Sequence, residues 1–351
     1  MARLSTRTSV APERFKLQLP TLRPQSYHDP NASKIPNNIR TMAWNPLGTY
    51  LATGCIDKTL RVCMAISSLR PLSSNTRQHR NVDKPNVRQS TELKGHTAPI
   101  EKVAFNPVKE LELCSVSSDG VVRFWDVKNK TVLNEVKGLG ETFTLAWAPR
   151  GECVVVGNKD DKLFVLSPTQ NTPLSSHQQP VPTNNIIFCW SGQRLFATTG
   201  EGKTRILAFP SFEPAYQLDY KDGPEKEFML AGHTSSCIVA ELHPFNRYLA
   251  TGGTDSLISL WETSEWNCVR TITKMTGPIR TLSFSWDGLY IVGGSDDGTG
   301  LDVFLSETGE HLCTYKTTSP SPVVAWAPNR YGLAYTDAGI LKIIGGSAGG
   351  K

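Results

Sequence analysis

The sequence is short of almost every signature of catalysis or membrane insertion. No run of about 18 apolar residues occurs in its 351 positions, so no segment is apolar for long enough to cross a bilayer as a helix. The eight cysteines, Cys55, Cys63, Cys114, Cys153, Cys189, Cys237, Cys268 and Cys313, include no Cys-x-x-Cys pair. Most lie in apolar stretches, and with no secretory leader they read as reduced, buried thiols in a reducing compartment. The seven histidines are scattered without His-x-x-x-His spacing, which argues against a metal site. No phosphate-binding Gly-x-x-x-x-Gly-Lys-Ser/Thr loop occurs. Gly345-Gly346-Ser347-Ala348-Gly349 fits Gly-x-Ser-x-Gly formally, but a nucleophile elbow needs a helix after the serine and only two residues follow. Asn31-Ala32-Ser33 and Asn129-Lys130-Thr131 fit a glycosylation acceptor that has no use without secretion. Asp160-Asp161 and Asp296-Asp297 are paired carboxylates in turn-like contexts, where solvated turns outweigh acid-base work. The expectation is a non-enzymatic chain with no cofactor, no metal, no small-molecule substrate and no membrane contact.

What the sequence does contain is turn chemistry, with 28 glycines and 23 prolines. In Ser235–Glu262, three short apolar stretches, Cys237–Leu242, Tyr248–Thr251 and Leu257–Trp261, are separated by His243-Pro244-Phe245-Asn246 and Gly252-Gly253-Thr254-Asp255. Proline presets φ at the first turn, while glycine and asparagine tolerate unusual φ. With Gly232-His233 upstream and Trp261 at its end, the stretch has the pattern of one WD-repeat blade.

The pattern recurs. The apolar residue closing the first strand is read at Trp44, Phe105, Trp147, Trp190, Leu242, Phe284 and Trp326, at intervals of 61, 42, 43, 52, 42 and 42 residues. A turn carboxylate follows each one: Asp57, Asp119, Asp161, Glu201, Asp255, Asp297 and Asp337. Two marks in register imply an all-β fold, a seven-bladed WD-repeat β-propeller over residues 35–346, with insertions at about 64–89 and 212–231 and a tail at 347–351.

The last blade supplies only three strands, Pro322–Trp326, Tyr331–Tyr335 and Ile340–Ile344, so a segment between about Phe15 and His28 is expected to supply the fourth. Phe15-Lys16-Leu17-Gln18-Leu19 alternates apolar and polar, as a half-buried strand does. The rest of residues 1–34 reads as a basic extension; its Arg- and Ser/Thr-rich start has the composition of a transit peptide but no clean apolar helical face. Blade one ends in Cys63 where the pattern takes Trp, and register returns only at Ser90–His96, a break that a retained intron would also produce.

Charge is unevenly spread. Residues 1–34 hold six basic against two acidic residues, +4, and residues 61–94 hold seven against two, +5; with a total of +5, the remainder sums to −4. The ring is mildly acidic and the positive charge lies on excursions. Arg70, Arg77, Arg80, Lys84 and Arg88, with Lys221 and Lys226 of the second insertion, are therefore the candidate partner-binding loop residues.

Two blades carry a full polar set: His96, Ser115, Asp119 and Trp125, and His233, Thr251, Asp255 and Trp261. In both, the hydroxyl lies four residues before the Asp and the Trp six after it. A His-hydroxyl-Asp set resembles a catalytic triad, but repetition at blade positions favours a structural hydrogen-bond staple.

Segments in order along the chain resemble the WD-repeat subunits of the THO complex. They are Gly157-Asn158-Lys159-Asp160-Asp161, Asp255–Trp261, Cys268-Val269-Arg270 and Pro278–Ser285, together with the absence of Gly-His and Trp-Asp in blades three and four. The resemblance implies a nuclear scaffold in mRNA export coupled to transcription. It implies docking on a large helical scaffold subunit and other THO subunits, indirect or weak contact with RNA, and no catalytic residues. Two other classes stand beside it. Cullin ubiquitin-ligase receptors present Trp-Asp-x-Arg, for which this chain offers Trp125-Asp126-Val127-Lys128. The basic excursions would suit direct RNA binding.

Overall fold

The computed structural model describes residues 9–27, 39–65, 90–218 and 226–345. Among these residues the chain forms seven four-stranded antiparallel sheets and one two-stranded ribbon. Blade one comprises Ile39–Trp44, Tyr50–Cys55, Leu60–Met64 and Ser90–Leu93, and blade two Ile100–Phe105, Glu112–Ser117, Val122–Asp126 and Thr131–Val136. Blade three comprises Thr142–Trp147, Val154–Asn158, Lys162–Leu166 and Ser175–Gln178, and blade four Thr183–Phe188, Arg194–Thr199, Lys203–Ala208 and Met229–Ala231. Blade five is Cys237–Leu242, Tyr248–Gly253, Ile258–Glu262 and Cys268–Ile272, and blade six is Ile279–Phe284, Tyr290–Ser295, Gly300–Leu305 and His311–Lys316. Blade seven pairs Val324–Trp326, Gly332–Asp337 and Ile340–Gly345 with Gln25–Tyr27 from the other end of the chain.

The core is distributed, because each sheet buries both faces against its neighbours. Seven apolar clusters are present among the described residues, and each is shared by two adjacent blades. The cluster joining Leu51 and Cys63 to Ala334, Leu341 and Ile343 closes the ring between blades one and seven. Cys63 pairs with Leu51 as Trp125 pairs with Leu113 and Trp261 with Leu249, so the thiol occupies the tryptophan position of blade one.

The inner strands of blades one to six share a register shift at the same point, after Ile39, Ile100, Thr142, Thr183, Cys237 and Ile279. Each bulge leaves one residue unpaired, and three of those residues are Arg40, Glu101 and Arg280.

Three readings of the sequence are corrected. Phe15–Leu19 is not a strand: Pro12–Gln18 is an α-helix continued by a 3-10 turn at Leu19–Thr21. Proline at its start, Glu13 in the first turn and Lys16 in the last favour a helix, which puts Phe15 and Leu19 on one buried face and leaves Leu17 exposed. Period two and period four share their first and last positions, so only Leu17 distinguishes them. The closing strand is Gln25–Tyr27, at the far end of the expected segment.

The second insertion is narrower than 212–231. Phe212 is buried and stacks on His177 at 4.3 Å, Met229–Ala231 is the outer strand of blade four, and Gln217–Leu218 pairs with Lys226–Glu227. Finally, the first strand of blade four ends at Phe188, two residues before the mark read at Trp190, which lies in the turn.

Candidate interaction surfaces

The two polar sets are assembled differently. In blade five, Trp261 Nε1 donates to Thr251 Oγ1 at 3.0 Å, Thr251 lies 2.9 Å from His233 Nε2, and His233 Nδ1 lies 3.0 Å from Asp255. The carboxylate accepts from Nδ1, so Nε2 accepts from the threonine hydroxyl. Burial alone would raise the Asp255 carboxyl, but bonds from His233 and the Thr234 backbone outweigh it and hold the group below its ordinary range.

In blade two, Asp119 is not part of the chain, which corrects the sequence reading. It accepts from Thr97 at 2.7 Å, and Arg123 Nη1 donates to His96 Nδ1 at 2.9 Å in its place. His96 Nε2 then donates to Ser115 Oγ at 2.6 Å, which also accepts Trp125 Nε1 at 2.8 Å. The two histidines are thus opposite tautomers. Burial, helped by the Arg123 charge, pushes His96 down to about 4.

Both arrangements make predictions. Thr251→Val keeps the shape but leaves buried Trp261 Nε1 and His233 Nε2 without a partner. It is expected to cost about 1–3 kcal/mol in urea denaturation, and a cost under about 0.5 kcal/mol would show the chain to be dispensable. His96 has a folded pKa below its unfolded value of about 6.5, so its stabilisation is present above that pH and is lost as pH falls toward about 4. Up to about 3 kcal/mol is at stake over that window. His96→Gln should therefore lose less stability than the parent between pH 7.5 and 4.5; equal losses would overturn the assignment.

One face of the ring carries the turns between first and second strands, and these turns are tied to one another. Asn329 donates to the Leu47 carbonyl from blade seven to blade one, Asn45 to Glu110 at 3.5 Å, and Asn106 to Gly151 at 3.1 Å. Trp190 Nε1 donates to the His243 carbonyl at 3.1 Å, His243 Nε2 donates to the Gly288 carbonyl at 3.1 Å, and Tyr331 donates to Asp287. Between blades three and four, Pro149 packs beside Gly192 instead. On this collar stand exposed apolar side chains: Leu47, Val108, Trp190 at 58% and Phe245 at 65%. In sequence, His243-Pro244 reads as a loop former only, and Asn45-Pro46 and Asn106-Pro107 have the same form. The asparagine or histidine before the proline was the available signal for the collar.

A second surface is a cavity of about 620 Å³ among blades one, two, six and seven, lined by Ile39, Ile56 and Pro322 and by the ion pairs Arg40–Glu101 and Arg280–Asp296. Arg40, Glu101 and Arg280 are bulge residues, so the bulges supply three of the four charged side chains that line the cavity. Inside the ring, Lys102 of blade two and Glu241 of blade five feel each other's charge although their blades are not neighbours, so the interaction crosses the axis. Burial lowers the lysine and raises the carboxyl.

A third feature is the N-terminal helix, docked on blades six and seven. Phe15 stacks on Tyr290 at 4.1 Å and meets Trp326 and Tyr331, while Tyr290 donates to the Val10 carbonyl at 2.6 Å and Tyr315 to that of Leu22 at 3.2 Å. Of the candidate partner-binding residues, Lys226 lies exposed on the small ribbon. Arg70, Arg77, Arg80, Lys84, Arg88 and Lys221 lie outside the described residues.

The WD domain, G-beta repeat family matches residues 31–63, 87–126, 224–262 and 266–299, leaving most of blades three and four and all of blade seven unmatched. The chain is similar to THO complex subunit 3 of Arabidopsis thaliana, 31% identical over 331 residues, 92% of this chain and 96% of that protein. It is also similar to WD repeat-containing protein AAC3 of Dictyostelium discoideum, 30% identical over 254 residues, 70% of this chain and 51% of that one. Eukaryotic translation initiation factor 3 subunit I of Pyricularia oryzae is 23% identical over 65% of this chain and 67% of its own length.

Proposed function

The chain belongs to the THO complex subunit 3 family of WD-repeat proteins, and on that premise we propose that it is a non-catalytic scaffold subunit of a nuclear THO assembly, acting in mRNA export coupled to transcription. The observation that carries this is the likeness to 96% of a THO complex subunit 3, which runs through the whole ring rather than through its most regular repeats. Its partners are the large helical scaffold subunit and other THO subunits, and RNA is reached indirectly or weakly.

The residues that could mimic catalytic chemistry are occupied elsewhere. Ser115 and Thr251 each hold a tryptophan and a histidine, so the two polar sets act as fasteners inside their blades. The ubiquitin-ligase reading is weaker. Lys128 stands where that motif takes Arg, and the Asp126 carboxylate accepts from Lys128 and Asn129 of its own turn.

Affinity purification of the tagged chain from nuclear extract tests the proposal. Recovery of helical THO subunits is expected, and a cullin adaptor in their absence would overturn it. Salt-dependent RNA affinity of the purified chain tests the basic excursions separately, and its absence removes any direct role for them.

A further inference from the structure

We infer that the seam between blades three and four is a built-in opening point, where the closed ring parts at its inner edge while the outer strands stay in contact. The inference concerns the ring itself and does not depend on the identity of its partners.

The other seams are all crossed by hydrogen bonds between the blades they join. The Val103 N–H of blade two donates to Thr41 Oγ1 of blade one at 3.3 Å, Trp147 Nε1 of blade three to the Ala104 carbonyl of blade two at 3.0 Å, and Trp44 Nε1 of blade one to the Ala325 carbonyl of blade seven at 3.0 Å. Asn184 of blade four donates to the Cys237 carbonyl of blade five at 2.8 Å, His243 ties blade five to blade six, and the Val324 N–H of blade seven donates to Thr281 Oγ1 of blade six at 3.1 Å. Between blades three and four, no hydrogen bond or ion pair passes among the described residues. Arg205 of blade four bonds at 2.6 Å to Gln179, which belongs to the connection between the two blades. Everything else is packing: an apolar cluster that includes Val155, Leu163, Ile186 and Phe188, Pro149 beside Gly192, and His177 of the outermost strand stacked on Phe212.

The same seam holds polar atoms without partners. Thr41, Thr144 and Thr281 occupy one register position, opposite Gly54, Gly157 and Gly294 of their second strands. The hydroxyls of Thr41 and Thr281 reach the next blade, whereas Thr144 Oγ1 is buried and unpartnered. So are Thr183 Oγ1 and Asn185 Oδ1 on the inner strand of blade four. Of the remaining inner strands, only that of blade seven carries such an atom, Trp326 Nε1. A buried polar atom with no partner destabilises the closed state, and contact with water on opening removes that penalty. Apolar contact has no preferred direction, so it resists tilting less than an aligned hydrogen bond does. The inner edge is therefore the weak side of this seam. The contacts of His177 with Phe212 and of Arg205 with Gln179 lie nearer the rim and set the pivot.

Two native thiols supply the test. Cys153 lies in the apolar cluster of this seam, and Cys313 in the cluster between blades six and seven. They are 6% and 8% exposed, and burial pushes both up to about 11. A difference in their alkylation rates therefore reports opening and not intrinsic reactivity. The native full-length chain is treated with iodoacetamide, and each cysteine is followed by peptide mass spectrometry. Cys153 is expected to label about 10-fold or more faster than Cys313. Thr144→Val keeps the shape and removes the unpartnered hydroxyl. It should leave Tm unchanged or raised and slow the labelling of Cys153 by about 5-fold or more. Thr41→Val removes a bonded hydroxyl from the same register position and should lower Tm. Equal labelling of Cys153 and Cys313 overturns the inference. Fast labelling of Cys153 that Thr144→Val leaves unchanged also overturns it, since the motion then belongs to the Glu152–Cys153 turn alone. A lowered Tm for Thr144→Val, or an unchanged one for Thr41→Val, sinks the contrast between bonded and unpartnered seams on which the inference stands.

Discussion

Removing residues 1–27 lowers the stability of the ring by on the order of 5 kcal/mol, much of what a domain has to lose. Three losses combine. Phe15 leaves a pocket of Tyr290, Trp326 and Tyr331 where it is 4% exposed, which alone costs about 3–5 kcal/mol by the measure of Phe→Ala substitutions in cores. Leu19, 3% exposed, leaves the same cluster. The edge of Ile340–Gly345 loses Gln25–Tyr27 and becomes a free template for pairing. Differential scanning fluorimetry should show a clearly lowered Tm, with aggregation above it. Phe15→Ala separates the contributions, since it weakens the helix and leaves the strand. A truncated chain that melts with the intact one would refute closure by the N-terminal segment.

Trp125→Ala is expected to cost as much as the loss of Phe15. The indole is 1% exposed, packs between blades one and two with Leu60, Val62, Ile100 and Leu113, and gives its N–H to Ser115. Truncation opens a cavity in that cluster and removes one of the two donors on the serine, at about 3–5 kcal/mol. Trp125→Phe refills most of the volume and should recover more than half of that. Equal losses from the two substitutions would mean that the hydrogen bond, and not packing, dominates.

The architecture was legible because it repeats. Leu242 and Phe284, like Phe105 and Trp147, close inner strands where the 42-residue spacing puts them. Trp190 shows how that logic slips. A tryptophan is the natural reading for a buried mark, yet Phe188 fills the place two residues earlier and the indole lies outside, held by its N–H. The periodicity of one strand could not distinguish the two, because both residues lie on the same side of it.

The N-terminal helix is not legible in sequence because Phe15 and Leu19 serve either period, and its partners are far away along the chain. Arg123 was invisible as a partner of His96 for a different reason. The blade five pattern supplies an aspartate at that step, and blade two has the same aspartate but turns it toward Thr97. The collar is hidden in plain dipeptides, because the bond from each Asn or His crosses to a turn at least 45 residues away.

The closing arrangement also sets a clock on biosynthesis. Tyr290 is made 275 residues after Phe15, and Tyr331 316 residues after it. At about 5–20 residues per second, a ribosome leaves the first apolar side chains of the protein without their binding pocket for roughly 15–60 s. Every blade before the seventh is therefore finished while the ring is still an open arc, and its first and last faces are bare throughout translation. A nascent chain of this topology is a substrate for chaperones by construction, and its yield in a heterologous host should depend more on the time spent as an arc than on the stability of the finished ring.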